Sequence, residues 1–274
     1  MEQIFALKGN VIYTPTCGQL ELRPESYLVC KNGVVAGVFE SLPEWYLGLV
    51  DLHVHASQYA YRGLGMDMEL LDWLEHNAFP EESRFADLDY ARRAYQVFTE
   101  QLKFSATTRA CIFATLHRSA THILMELLEQ AGQPCFVGKV NMDRNSPDTL
   151  RETTEESLSE TRQWLEESSG FHLVRPILTP RFTPSCTDEL MDGLGELQRA
   201  FGVPMQSHLS ENRSEIQWVV ELCPATRFYG ESYARAGLFG GNCPTVMAHC
   251  VWSGGRGAGT HEGKGGLYCP LSPV

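Results

Sequence analysis

No C-x-x-C pair occurs among the nine cysteines. Their irregular spacing argues against both a zinc ribbon and a disulfide framework. Reduced thiols in a cytoplasmic protein are therefore expected. Apolar runs of membrane-spanning length are also missing. The N-terminus "MEQIFALKGN" lacks a basic stretch followed by an apolar one, so neither a membrane nor a secretory destination is expected. Positive charge is scarce: 22 Lys+Arg stand against 34 Asp+Glu, a net charge of −12. That balance disfavours attraction to a phosphate backbone, so no nucleic-acid partner is expected. A small neutral or cationic substrate suits it better. The chain contains no G-x-S-x-G, no phosphate-binding loop and no dinucleotide fingerprint. Serine hydrolase, kinase and dehydrogenase chemistry thus lack support. The H-x-E and P-C-x-x-C pattern of cytidine-type deaminases is missing as well.

What is present is an ordinary globular composition over 274 residues, 43% hydrophobic and 20% charged. Residues 1–46 read as short β segments, "QIFALKGNVIY", "LELRPESYLVC" and "VVAGVFE", and form the N-terminal β-sandwich part. Asn32-Gly33 between two apolar runs predicts a tight hairpin. Beyond Pro43, short apolar runs alternate with longer amphipathic stretches, the rhythm of βα units on a parallel sheet. Six strands are expected: "LVDLHVH" (49–55), "TTRACIFA" (107–114), "CFVGKVNM" (135–142), "LVRPILTP" (173–180), "PMQSHLS" (204–210) and "TVMAHCV" (245–251). "FADLDYARRAYQVFTEQLKF" carries apolar residues at helical spacing, with Asp87 or Asp89 suited to its first turn. The fold class is therefore α/β, an incomplete (β/α) barrel of about six strands over 47–253.

In a strand, alternate side chains share a face, so His53 and His55 point the same way at a strand's C-terminal end. Active sites of α/β barrels lie at that end. Two imidazoles there can take two positions on a metal such as zinc, or simply close a strand as polar residues. His208 ends the fifth expected strand and His249 the sixth, with Glu211 three residues after His208. Four histidines at three matching strand ends are harder to read as structural. Taken singly, Arg181 reads as an ion-pair partner, Phe182 as core, and Glu211 as a first-turn carboxylate favoured by the helix dipole. His76, His117, His122, His172 and His261 have no partner at useful spacing.

In this order, "GLVDLHVHASQ", "FATLH", "FVGKVNMD", "ETTEES", "TPRF", "QSHLSENR" and "TVMAHC" resemble the guanine deaminases of the amidohydrolase superfamily. The likeness runs from about residue 1 to Ser253. H-x-H alone is superfamily-level; H-x-H-A-S-Q with T-P-R-F and H-x-S-E-N-R is far more specific. The resemblance implies a metal-dependent TIM-type barrel that hydrolyses guanine to xanthine and ammonia, with one zinc ion per chain and a homodimeric assembly. It implies that His53, His55 and His208 ligate the zinc. Glu211 would shuttle protons, and His249 would orient the attacking water. Gln58, Arg181 and Phe182, with His208 and Glu211, would contact the purine. Two other readings stay open: an amidohydrolase acting on another aminopurine or heterocycle, and an inactive remnant serving as a binding module.

The family pattern also calls for an aspartate ligand on an eighth strand, and the sequence supplies no position for it. Instead, 254–274 is an atypical tail, "GGRGAGTHEGKGGLYCPLSPV", with seven glycines. Codons for "THEGKGGLYCPLSPV", read from their second base, admit "LMKERGASIAHCPQS", which looks like the expected helix and seventh strand. A shifted reading frame past Ser253 is the corresponding expectation, and with it weak zinc binding and little deamination.

Overall fold

The computed structural model describes residues 4–16, 18–41, 49–239, 243–252 and 266–269. The chain divides into two compact units, Met1–Leu49 and Val50–Val274. The boundaries expected at 46/47 and 253/254 both lie outside the described residues.

The first unit is a three-stranded antiparallel sheet in the order β1 (Ile4–Thr16), β2 (Gln19–Lys31), β3 (Val34–Phe39). Lys31 pairs with Val34 around Asn32 and Gly33, whose φ values are 52° and 78°. Two consecutive positive φ angles match the right-handed twist of the flanking strands, which is why Asn-Gly encodes this hairpin.

In the second unit, parallel strands follow one another in chain order. β4 (Leu49–His55), β5 (Thr107–Phe113), β6 (Cys135–Gly138) and β8 (Arg175–Pro176) form one sheet, and β7 (Val140–Asn141) pairs with β9 (Thr179–Pro180). β10 (Met205–Leu209), β11 (Thr245–His249) and β12 (Gly266–Cys269) complete the series, joined to the preceding strands through a Leu178–Met205 bridge. Helices cross between them as the alternating pattern requires. A continuous helical stretch runs through α1 (Leu70–Trp73), a π turn (Leu74–Ala78) and α2 (Phe79–Ser83). α3 (Leu88–Lys103), α4 (Arg118–Gln130), α5 (Thr154–Glu167), α6 (Asp188–Phe201), α7 (Arg213–Leu222) and α8 (Gly230–Arg235) follow. Among the described residues no helix is long and apolar enough to cross a membrane.

Local sequence explains where these helices begin. Asp87 caps α3 by accepting from Asp89 and Tyr90 N–H. Thr153 and Glu156 form a reciprocal capping box on α5, and Asn212 and Glu215 form one on α7. Gly202, at φ 65°, ends α6 in the left-handed conformation. The inner strand faces and the helices meet in one core, in which Ile112, Val137, Leu178 and Met205 of the strand layer pack with Leu124, Trp164, Leu190 and Leu194 of the helices. Each fully buried aliphatic side chain there contributes roughly 1.5–3 kcal/mol.

Three expectations need correction. The strand expected over 135–142 breaks at Lys139, whose buried ammonium donates to Glu152 at 2.8 Å. The strand expected over 173–180 breaks between Pro176 and Thr179, where Ile177 N–H still donates to Val137 O at 2.9 Å but Leu178 N–H turns to Pro204 O at 2.9 Å, on the neighbouring strand's side. A Cβ on Gly138 would sit 1.7 Å from Thr179 Oγ1, so the two broken strands approach where only glycine fits. Finally, the tail does not lie wholly outside the barrel strands. Gly266–Cys269 pairs in parallel with Thr245–Ala248, taking up the open edge of β11. The rest of 254–274 lies outside the described residues.

Candidate metal centre and binding cavity

The C-terminal ends of the strands surround a cavity of about 110 Å³. His53, His55, His208, Glu211 and His249 line one side. Gln58, Arg181 and Phe182 line the other, and Leu70, Trp73 and Leu74 from the helical stretch add apolar surface. Every site residue expected from sequence therefore meets in one place.

The imidazoles form a cluster. The His53 ring lies 4.9 Å, centroid to centroid, from those of His55, His208 and His249. His55 Nε2 and His208 Nε2 are 3.0 Å apart. His208 Nδ1 lies 2.6 Å from the Arg181 carbonyl. A carbonyl can only accept, so Nδ1 carries the proton and the Nε2 lone pair is turned toward His55. Phe113, at the end of β5, stacks on His55 at 4.5 Å and holds the rings from behind.

Burial keeps these rings uncharged. It lowers His53 to about 3, helped by His249 and Arg181, and lowers His249 to about 4. His55 and His208 are pushed well below the ordinary histidine range by burial and then by neighbouring imidazoles. Neutral imidazole is the form that donates a lone pair to a metal. One nitrogen from each of His53, His55 and His208 lies within 4.8 Å of the others. The buried Nδ1 of His53 has no hydrogen-bond partner. An orphaned buried nitrogen within a cluster of neutral imidazoles is costly without a partner, and three such rings with nitrogens this close fit a divalent metal ion. Among the described residues no aspartate joins the cluster.

Glu211 and His249 belong together. His249 Nε2 stands 3.3 Å from Glu211 Oε2. Burial, then the nearby Glu215 carboxylate, raises the Glu211 carboxyl to about 8. With His249 held low, the contact near neutrality joins a protonated carboxyl to a neutral ring, not two ions. The backbone is specialised here. Ser210, His249 and Cys250 have φ of 53°, 71° and 55°, and Cys250 N–H reaches both Leu209 O at 2.8 Å and Ala248 O at 3.1 Å. The second bond closes a γ-turn at His249 with a positive φ, an uncommon and strained form of the kind that gathers at functional sites.

The opposite side is organised by a residue that the sequence pattern did not reveal. Glu82 of α2, 2% exposed, accepts from both terminal nitrogens of Arg181, from NH2 at 3.1 Å. It also accepts from Gln58 Nε2 at 3.0 Å. Burial opposes the Arg181 charge, but Glu82 outweighs it and holds the guanidinium above its ordinary value. Arg181 is thus an ion-pair partner, as its lone reading suggested, but a buried one at the cavity.

The amidohydrolase family model matches residues 46–262. The chain belongs to the amidohydrolase family. That family is metal-dependent and builds α/β barrels of this type. The chain is similar to guanine deaminase of Dictyostelium discoideum, at 46% identity over 277 residues, covering 89% of this chain and 61% of that protein. Against guanine deaminase of Homo sapiens it is 40% identical over 232 residues, covering 82% of this chain and 50% of that one. Among solved structures, guanine deaminase from C. acetobutylicum with guanine bound in the active site superposes with a TM-score of 0.80. There the identity is 42%, over 98% of this chain and 68% of that one. The chain spans about three-fifths of the length of the D. discoideum amidohydrolase and half that of the human one.

Proposed function

We propose that the site binds guanine and removes its 2-amino group hydrolytically, giving xanthine and ammonia, with one zinc ion held by His53, His55 and His208. The observation that carries this reading is the pairing of an uncharged imidazole cluster with a fixed set of planar donors and acceptors across one small cavity. When bound, zinc supplies Lewis-acid activation of water near neutral pH. The protein's own groups do the rest. Glu211, protonated near neutrality, gives its proton to the ring nitrogen beside the reacting carbon and then serves the departing amine. His249 holds the Glu211 carboxyl at 3.3 Å and orients the attacking water. Arg181 and Gln58 hold the purine edge through planar hydrogen bonds, and Phe182 lies against the ring. Leu70, Trp73 and Leu74 exclude bulk water, which strengthens those polar contacts. The likeness to guanine deaminases adds the expectation of a cytoplasmic homodimer.

The test is metal analysis and product detection on the same zinc-supplied preparation. Zinc recovered with the chain but weakly held, because no aspartate joins the three histidines among the described residues, with xanthine and ammonia formed slowly and in equal amounts from guanine, is the expected result. Zinc-loaded protein that neither binds guanine nor releases xanthine would overturn the reading.

A further inference from the structure

Gln58 and Arg181 both line the cavity, but neither is oriented by the cavity alone. An amide side chain can present either its oxygen or its nitrogen to a ligand, and the two choices select opposite ligands. Glu82 removes that choice. A carboxylate accepts and cannot donate, so the Gln58 group facing it at 3.0 Å is the amide nitrogen, and Oε1 is the atom left for a ligand. The same carboxylate takes one N–H from each terminal nitrogen of Arg181. It thereby fixes the guanidinium plane and leaves the other N–H groups as donors. Glu82 is buried at 2% exposure and is not among the residues lining the cavity.

We propose that Glu82 is the positioning residue that sets the purine specificity of the site, by locking Gln58 as an acceptor and Arg181 as a donor. This rests on the reading of the cavity as a guanine site. Guanine presents a carbonyl acceptor next to a ring N–H donor along its six-membered edge. Adenine presents the inverse, an amino donor next to a ring-nitrogen acceptor. An acceptor beside donors matches the first and opposes the second at both positions. A hydrogen-bonding site that meets the wrong pattern leaves its own polar groups unpaired, which gives strong rejection. The position also explains why Glu82 lies on α2, between Phe79, whose ring is 5.3 Å from the Arg181 guanidinium, and the α3 cap. The helical stretch that supplies Leu70, Trp73 and Leu74 to the cavity also supplies the residue that orients its polar groups.

Two variants test this on the full chain, E82Q and E82D. In E82Q the new carboxamide can donate to Gln58, so the Gln58 amide is free to turn. In E82D the shorter carboxylate keeps the charge opposite Arg181 but loses reach to Gln58. The readouts are equilibrium affinities for guanine and for adenine, taken with Glu211→Gln also present so that guanine is not consumed, together with zinc content and melting temperature. Both variants are expected to retain wild-type zinc content, and the preference for guanine over adenine to fall by on the order of tenfold or more. A merely structural role would weaken both purines alike. Folded, zinc-bearing variants with an unchanged preference overturn the proposal, whatever their absolute affinities. If E82Q fails to fold, E82D decides. If both fail to fold, Glu82 is a structural support and the proposal falls. Wild-type protein without a preference for guanine would instead overturn the functional reading on which this one rests.

Discussion

The two sides of the cavity solve opposite electrostatic problems. On one side four imidazoles are packed together and kept neutral by burial, with the His208 Nε2 lone pair turned toward His55 and one His53 nitrogen orphaned. On the other, a permanently charged guanidinium is buried and paired with the buried Glu82 carboxylate. The first side is unsatisfied without something positive added to it. The second has its charge paired already and offers the free N–H groups of Arg181 and the amide oxygen of Gln58 to a ligand. One pocket can therefore take a cation and an uncharged heterocycle side by side.

The largest expected effect lies between the walls. Glu211→Gln keeps the shape of the side chain but removes its proton traffic, and is expected to lower xanthine formation by roughly 100- to 10,000-fold with zinc content unchanged. Loss of zinc together with activity would mean that Glu211 supports the metal and not only the proton transfer. On the second wall, Arg181→Met leaves the Glu82 carboxylate buried and unpaired. Urea unfolding should show a loss of about 3–5 kcal/mol. The double variant R181M/E82Q should recover much of that loss, because it removes the charges together. If the single variant is as stable as wild type, the charge on that wall is not buried as described.

A smaller effect is expected beneath Glu211. Glu215, fully buried, accepts from Glu211 N–H at 2.9 Å, Asn212 N–H at 3.1 Å and the Tyr229 hydroxyl at 2.6 Å. Glu215→Ala orphans these donors and should cost about 1–3 kcal/mol by the same unfolding measurement. The smallest effect concerns the turn that aims His249. Cys250 holds φ 55°, which glycine adopts freely. Cys250→Gly should leave stability within about 1 kcal/mol of wild type, whereas Cys250→Val should lower the melting temperature clearly.

The metal wall was legible in the sequence because strand periodicity does the work. Residues i and i+2 share a face, and successive barrel strands end at the same rim, so H-x-H and two later strand-end histidines converge without further information. The start of α3 was legible for a similar reason: Asp87 acts on backbone N–H groups two and three residues away. The second wall was not. Glu82 is 24 residues from Gln58 and 99 from Arg181 and stands on a five-residue helix. No local spacing connects the three. The available signal was an ion-pair partner required for a buried Arg181, but nothing in the sequence said that Arg181 would be buried. Phe113 was missed because an aromatic residue at a strand end reads equally well as core. The breaks at Lys139 and after Pro176 go with tertiary contacts, the Lys139–Glu152 pair and the Leu178–Pro204 hydrogen bond, that no local spacing announces. The pairing of Gly266–Cys269 beside β11 likewise reflects an open strand edge more than the tail's own composition.

The contrast between the two walls is tested most sharply by a calorimetric titration of guanine into zinc-loaded and metal-stripped protein, both carrying Glu211→Gln so that guanine is not consumed. One guanine per chain is expected in the zinc-loaded protein, with distinctly weaker binding once the metal is removed, because the imidazole wall is then left unsatisfied. Equal affinity in the two states, or no guanine binding in the zinc-loaded one, would contradict the division of labour between the walls.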